Sequence, residues 1–388
     1  MTITAPKGFR AAGVRAGLKT SGNPDLALVV NDGPSKAAAA VFTSNRVAAA
    51  PVHWSRQVVS DGRVDAVVLN SGGANACTGP QGFQNTHTTA EKVAEVLGIS
   101  AADVFVCSTG LIGEQLPMDR IVPGIDAASA ALSEDGGADA AHAIMTTDSV
   151  PKQAVFTGQD ADGRAFTIGG IAKGAGMLAP GLATMLVVLT TDAGVEAELL
   201  DVVLRDAARV TFDRADSDGC MSTNDTVVLL ASGASGAFPS AEVFGAGLTE
   251  VCAELARKLI GDAEGSSHDI AIRTFNAASE QDAEIVSRAV ARSNLFKAAI
   301  FGKDPNWGRV LSAVGTTDAA FDPDALNVSM NGIQICQNGS IGQDRNLVDL
   351  EPREVLVEID LQAGESEATI WTNDLTHDYV HENSAYSS

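Results

Sequence analysis

The stretch GIAKGAGMLAPGLATMLVVLT, residues 170–190, joins a deformable loop to a stiff strand. Its first half is rich in glycine and carries one lysine, Lys173. The Pro-Gly pair at 180–181 allows a strained turn, and residues 185–189 form an apolar run typical of a buried strand. Thr184 lies at the junction. It is either an ordinary strand-starting residue or a nucleophile at a peptide bond that breaks.

Thr184 has a chemical route to nucleophilicity. A threonine hydroxyl needs an activating base, and the threonine's own α-amino group is one such base. An α-amino pKa of about 8, against about 10.4 for lysine, leaves a useful neutral fraction at neutral pH. This amine exists only if the Ala183–Thr184 bond is cut, and the small Ala183 side chain leaves the scissile carbonyl unhindered. From these residues alone, a strand start and self-cleavage both remain open.

The composition predicts a folded, acidic α/β protein. The 388 residues suffice for two domains or one large α/β unit. With 45% hydrophobic and 19% charged residues, the chain can bury a real core. The formal net charge of −23 repels nucleic acid and anionic lipid, so we expect no nucleic-acid partner.

The sequence also predicts a cytoplasmic location. The first residues lack the apolar core of a signal peptide, and no window approaches the length of a membrane span. The five cysteines are widely spaced and form no C-x-x-C pair, which argues against a disulfide framework or a zinc ribbon. We therefore expect no membrane association.

Short apolar runs alternate with helical patterns. Strands are predicted at 66–69 and 104–106, and the first is followed by the glycine-rich turn NSGGANACTG. Helices are predicted over 88–98, where Gly98 is a stop signal, and over 196–210. Two more helices are predicted, one ending at Gly261 and one capped by Ser279. This alternation is typical of helices layered on sheets.

Neither a phosphate loop nor a metal site is convincing. Lys173 precedes Gly174 with no hydroxyl after it, which is the wrong order for a Walker A loop. His377 and His381 lack a third ligand, and the stretch 215–220 imitates only half of a calcium loop. We therefore expect no metal and no cofactor.

Several motifs together resemble one family. They are KGAGMLAPGLATML, VLNSGGANACTG, CSTGLIGEQLP, DSDGCMSTNDT, DAEGSSH and GKDPNWGR. In order and spacing the chain is similar to ornithine acetyltransferases, the bifunctional glutamate N-acetyltransferases of arginine biosynthesis. The match continues to YVHENSAYSS at the end of the chain. The resemblance implies a layered helix–sheet–sheet–helix sandwich of the ornithine acetyltransferase and DmpA-like type.

The resemblance also implies a mechanism. Self-cleavage would give an α chain, residues 1–183, and a β chain, residues 184–388, which begins with the nucleophile. Thr184 would take acetyl from N-acetylornithine, release ornithine, and pass the acetyl group to glutamate in a ping-pong reaction. Whether acetyl-CoA is a second donor remains open. The family suggests an α2β2 heterotetramer.

Individual roles follow from matching positions. Thr109 and Gly110 match an oxyanion hole, although a Thr-Gly pair after a strand is by itself an ordinary turn. Asn224, Asp225 and Trp307 are interpreted as scaffold or supporting residues. The matched substrate-binding positions, each unremarkable on its own, are Thr147, Lys173, Thr184, Glu264, Asn383 and Ser388.

Two departures and two alternatives accompany this interpretation. The residues 181–182 are Gly-Leu where Asn-Met is expected, which would alter the cleavage rate, and Ser388 stands where threonine is usual. One alternative is an N-terminal-threonine amidohydrolase or aminopeptidase, in which water replaces glutamate. The other is an uncut metabolite-binding module, which would migrate as a single band on a denaturing gel.

Overall fold

A computed structural model describes residues 2–179 and 185–385 and divides into two compact units. The first unit draws its residues from 1–213 and 220–259. The second unit draws its residues from 214–219 and 260–387. This division differs from the predicted chain boundary after residue 183, which falls within the first unit's range.

Two sheets form the first unit. The first sheet has the order β1-β2-β4-β5 and the second has the order β3-β9-β8-β7-β6. Every residue of β2, β4, β5, β8 and β9 is buried, because both faces of each sheet are covered. The strands are β1 (Phe9–Val14), β2 (Leu26–Asn31), β3 (Ala37–Phe42), β4 (Ala66–Ser71), β5 (Val104–Thr109), β6 (Lys152–Gln159), β7 (Ala165–Lys173), β8 (Leu186–Thr191) and β9 (Thr226–Ala231).

The helices that accompany these sheets follow the strands along the chain. They are α1 (Ala50–Val58), α2 (Gly79–Leu97), α3 (Met118–Ala130), α4 (Gly137–Ala143), α5 (Ala197–Val210) and α6 (Ala241–Gly261). Gly98 caps the end of α2 in the left-handed region, with φ 69°, as its role of stop signal predicted. α5 buries one apolar stripe along its length, as predicted over 196–210.

The first unit is a helix–sheet–sheet–helix sandwich. Val29 of the first sheet and Val188 of the second belong to one core between the sheets. On the outer face of the first sheet, Val68 packs in a core with Ile125 of α3. On the outer side of the second sheet, α5 contacts β3, and the Phe244 ring of α6 lies 6.1 Å from the Phe166 ring of β7. The α/β layering predicted from the resemblance is confirmed.

The second unit is built on one mixed sheet with the order β13-β12-β11-β14-β10-β15. Burial alternates along β14, which indicates that one face packs on the core. Its strands are β10 (Asp269–Ala277), β11 (Asn327–Met330), β12 (Ile333–Gln337), β13 (Ser340–Ile341), β14 (Glu354–Asp360) and β15 (Ser366–Asn373). Its helices are α7 (Glu280–Ala291), α8 (Asn294–Phe301), α9 (Trp307–Val314) and α10 (His377–Ala385).

The predicted elements correspond to observed ones with one clear difference. The strands predicted at 66–69 and 104–106 are β4 and β5, and each extends a few residues further. Ser279 caps α7 by accepting a hydrogen bond from the N–H of Asp282 at 3.1 Å, as predicted. α2, however, begins at Gly79 and not near residue 88. Its first half buries polar side chains, so it lacks the apolar period that marks the rest.

Residues 2–179 and 185–385 show neither a membrane-spanning helix nor a metal-binding cluster. None of their helices is both long enough and apolar enough to cross a membrane. These residues also contain no group of three or more His, Cys, Asp or Glu side chains arranged to hold a metal ion. The expectation that the protein works without a cofactor stays a prediction.

Candidate active site

Three glycines meet where β4 and β5 end in the first unit. The carbonyl of Thr109, the last residue of β5, accepts hydrogen bonds from the N–H groups of Gly72 at 2.9 Å and Gly73 at 3.0 Å. Gly110 follows with φ +130°, and a Cβ atom there would lie 2.5 Å from the Gly73 nitrogen. Only glycine fits this position, because both the backbone conformation and the space exclude a side chain.

This junction presents the donors that an oxyanion hole requires. Within the described part of the chain, the N–H of Gly110 has no hydrogen-bond acceptor. The buried Thr109 hydroxyl accepts a hydrogen bond from Lys173 Nζ at 3.3 Å. Because the ammonium occupies a lone pair of Oγ1, the hydroxyl hydrogen is left to donate to another atom. Two such donors side by side suit a developing alkoxide.

Asp148 organises the charges around Lys173. Its Oδ1 accepts from Lys152 Nζ at 2.6 Å and from the N–H of Gly174 at 2.7 Å, and its Oδ2 accepts from the N–H of Thr146 at 2.9 Å. Burial opposes ionisation of Asp148, but the Lys173 and Lys152 ammonium groups and the Gly174 N–H outweigh it. Together they lower its pKa to about 2.

The Asp148 contacts connect two predicted binding positions. Thr147 is exposed and directly precedes Asp148, while Lys173 is buried at the end of β7. Because Asp148 accepts a hydrogen bond from the N–H of Gly174, the residue after Lys173, it links the segment that contains Thr147 to the end of β7. The structure therefore brings Thr147, Lys173, Thr109 and Gly110 into the same part of the first unit.

Met185, which follows Thr184 in the chain, is held at both ends of its backbone. Its N–H donates to Asp225 Oδ1 at 3.1 Å, and its carbonyl accepts from the N–H of Thr226 at 3.1 Å. Asp225 is fully buried, and this burial raises its pKa well above the ordinary value despite the Met185 hydrogen bond and the Lys173 charge. The chain is thus fixed one residue beyond the predicted cleavage bond.

Asn224 joins the same segment to the end of β5. Its Nδ2 donates to the carbonyls of Ala74 at 2.6 Å and Ser108 at 2.8 Å. Its Oδ1 accepts from the Thr223 hydroxyl at 2.6 Å. All three bonds are buried, so they hold the strand ends beside the Thr109–Gly110 pair in fixed positions. Asn224 has the contacts of a scaffold residue, as interpreted from the sequence.

The remaining predicted residues are distributed between the second unit and the undescribed residues. Glu264 Oε2 accepts a hydrogen bond from Asn383 Nδ2 at 3.0 Å, so the structure brings these two positions together within the second unit. Ala183, Thr184 and Ser388 lie outside the described residues. Their assigned roles therefore stay predictions.

Sequence reasoning missed two charged residues of the first unit, the buried Asp148 and the half-buried Lys19. Asp148 directly follows Thr147, which the sequence marks as a substrate-binding position, but no motif marks Asp148 itself. Lys19 donates to the carbonyls of Pro24 at 2.9 Å and Met145 at 2.5 Å, and burial lowers its pKa. An Asp four residues before a Lys is a detectable signal for the pair at 148 and 152, whereas nothing near Lys19 marks it.

Known proteins resemble this chain along its whole length. The ArgJ family model matches residues 10–388. The arginine biosynthesis bifunctional protein ArgJ of Streptomyces coelicolor is 65% identical over 388 residues, all of both chains. That of Thermobifida fusca is 61% identical, again over all of both chains.

A solved structure also matches part of the chain. It is the ornithine acetyltransferase of Mycobacterium tuberculosis complexed with ornithine, which is 55% identical over 48% of this chain and 96% of the solved chain, with a TM-score of 0.44. The family model and the full-length relatives confirm the resemblance predicted from the motifs. With its glycine junction and buried lysine at the predicted positions, the chain belongs to the ArgJ family.

Proposed function

We propose that this enzyme transfers an acetyl group from N-acetylornithine to glutamate, giving ornithine and N-acetylglutamate in arginine biosynthesis. Family membership supports the reaction. The observation that supports this chemistry is a pair of adjacent hydrogen-bond donors. One is the N–H of Gly110, which has no acceptor among the described residues, and the other is the Thr109 hydroxyl. Acyl transfer needs such donors, because its tetrahedral intermediate places negative charge on an oxygen.

Activation begins with self-cleavage. The Thr184 hydroxyl attacks the Ala183 carbonyl, and the acyl group shifts from nitrogen to oxygen. Water then hydrolyses the ester, which frees the Ala183 carboxylate and the Thr184 α-amine. The products are an α chain of residues 1–183 and a β chain of residues 184–388. The two backbone hydrogen bonds of Met185 support this step, since they fix the residue that follows the new chain end.

The freed amine then serves as the base for acetyl transfer. It takes the proton of the Thr184 hydroxyl as the oxygen attacks the acetyl carbonyl of N-acetylornithine. Thr109 and Gly110 stabilise the resulting alkoxide, and ornithine leaves once its nitrogen is protonated. The glutamate amine next attacks the acetyl-Thr184 ester, and Thr184 recovers its proton. The cycle needs no cofactor.

The binding residues are assigned by charge. Lys173 is a buried cation suited to a substrate carboxylate, and Thr147 adds a hydroxyl. Glu264, held by Asn383, suits a substrate ammonium, and Ser388 supplies a hydroxyl near the chain end. We extend the proposal to acetyl-CoA as a second donor, to a cytoplasmic location and to an α2β2 assembly. Family membership favours this reaction over the hydrolase and binding-module alternatives.

Intact-mass spectrometry of the wild type and of Thr184→Ala tests the proposal. We expect two wild-type fragments split between Ala183 and Thr184, an intact variant, and acetyl transfer from N-acetylornithine to glutamate by the wild type alone. A stable uncut wild-type chain would remove the catalytic amine. Release of free acetate without N-acetylglutamate would instead favour the hydrolase.

A further inference from the structure

The second unit contains a cavity of about 280 Å³ whose lining carries charges of both signs. Glu264, assigned above to substrate binding, lines it together with two cations, Lys297 and Arg292. All three residues belong to the second unit, so the cavity lies within a single unit. The volume is slightly below that of drug-sized sites and suits the end of a small amino acid.

Lys297 is a buried cation that forms no ion pair within residues 2–179 and 185–385, although the charges of Asp218, Asp216 and Asp374 lie near it. It is 6% exposed, and its Nζ donates to the carbonyl of Ser217 and to Thr372 Oγ1 at 3.3 Å. Among the residues that the structure describes, no carboxylate oxygen lies within 4.0 Å of this nitrogen. An ammonium has three N–H donors, so one is left for a ligand. Burial lowers the pKa of Lys297, and a bound anion would favour its charged form.

Arg292 provides a second set of donors at the same cavity. Its Nε donates to Asp216 Oδ2 at 2.8 Å, which fixes the guanidinium group. Its two terminal nitrogens donate to no group among the described residues, and the side chain is about half exposed. A fixed guanidinium with unused N–H groups matches the geometry of a carboxylate.

Three carboxylates line the cavity, those of Asp218, Glu264 and Asp374, and the last two differ in how far they are already neutralised. Asp374 accepts hydrogen bonds from the backbone and side chains of both Ser267 and His268. Glu264, by contrast, accepts from one neutral donor, Asn383, among the described residues. Glu264 is therefore the carboxylate better placed to bind an ammonium group.

We propose that this cavity receives the charged side-chain ends of both amino-acid substrates, with Lys297 and Arg292 binding the glutamate carboxylate and Glu264 binding the ammonium of N-acetylornithine. The inference rests on the proposed function, in which donor and acceptor bind one after the other. Their side chains end in opposite charges. A site with one sign of charge would repel one of them, whereas this cavity offers a partner to each.

Steady-state kinetics of Lys297→Gln and Arg292→Gln test the proposal, with glutamate and its neutral analogue glutamine as acceptors. We expect Lys297→Gln to raise the KM for glutamate about 10- to 100-fold, as loss of a charged contact does, and Arg292→Gln to raise it less. The preference for glutamate over glutamine falls in parallel. The KM for N-acetylornithine stays within about twofold, and Lys297→Arg restores part of the glutamate affinity.

Lys303→Gln is the matched control, because Lys303 is an exposed lysine of the second unit whose partner is the exposed Glu351. Unchanged glutamate KM in both cavity variants overturns the proposal. So does an equal rise in both substrate KM values without rescue by arginine, which would mean that Lys297 only tethers Ser217.

Calorimetric titration of glutamate separates this inference from the proposed function. Binding to the wild type that is lost in Lys297→Gln supports the cavity assignment even if no acetyl transfer occurs. Absence of wild-type glutamate binding overturns the cavity assignment, and acetyl transfer from N-acetylornithine then decides the proposed function by itself.

Discussion

Asp148 is a buried carboxylate of the first unit that forms an ion pair with the buried Lys152. Its folded pKa of about 2 lies below the ordinary 3.8, so it stabilises the fold at pH values above about 4. That stability is lost as the pH falls towards 2. We expect Asp148→Asn to lower the free energy of unfolding by about 2 kcal/mol at pH 7, since one pKa unit is worth about 1.4 kcal/mol.

Urea unfolding of Asp148→Asn and its parent, both in the uncut Thr184→Ala background, measures this difference between pH 3 and 7. We expect the gap between the two proteins to narrow below about pH 4, as the parent carboxylate takes up a proton. Asp162→Asn is the control, because Asp162 is exposed beside Arg164. A gap that stays constant with pH would contradict the electrostatic explanation.

Gly110 gives a second test at the scale of one residue. Gly110 and Gly113 both have positive φ, +130° and +87°, but nothing lies within 4 Å of a Cβ at Gly113. We expect Gly110→Ala to reduce acetyl transfer at least 100-fold, because the Gly73 backbone must move and displace the oxyanion donors. Gly113→Ala bears only the cost of its backbone conformation and should keep most activity in the same assay. Equal losses of activity in the two variants would contradict a specific clash between a side chain at position 110 and the Gly73 backbone.

At this scale the sequence predicted only part of the candidate site. Thr109, Gly110 and Lys173 could be named because motifs preserve residue type and spacing. The low pKa of Asp148 and the high pKa of Asp225 could not be foreseen, because each depends on burial and on partners distant in sequence. Long-range contacts of this kind leave no local pattern.

At the scale of elements, β7 and β8 are the strands on either side of the predicted cleavage bond. They pair antiparallel over six residues, with Lys173 opposite Leu186, and β8 pairs with β9 on its other edge. We expect the two fragments to elute together in size-exclusion chromatography under native conditions and to separate only in denaturant. Separation without denaturant would show that the strands do not hold the fragments together.

The apolar elements could be predicted from the sequence and the polar ones could not. β4, β5 and α5 carry aliphatic runs or stripes that identify them directly. The first half of α2 buries Asn85 and Thr86, whose hydrogen bonds satisfy them inside the protein. A buried polar face resembles a loop in sequence, so the sequence predicts the start of α2 too late in the chain.

For the whole molecule, the net charge of −23 implies repulsion within the folded state. Salt screens such repulsion, with a Debye length of about 10 Å at 0.1 M. We expect the melting temperature to rise by about 1–2 °C between 10 and 300 mM NaCl, since about 1 kcal/mol of stability divided by an unfolding entropy of about 2.1 cal/mol/K per residue gives a shift of this size in a long chain. Differential scanning fluorimetry would measure it, and a falling melting temperature would mean that specific ion pairs dominate.

The pairing of β7 with β8 also determines the kinetic order of refolding. In an uncut chain these neighbouring strands meet by closing a short loop, so the folding rate does not depend on protein concentration. After cleavage the same strands belong to separate molecules, and their encounter becomes bimolecular. Dilution should therefore slow refolding of the cut enzyme and leave that of Thr184→Ala unchanged. Under the proposed cleavage, each molecule has one opportunity to fold as a single chain, before it cuts itself.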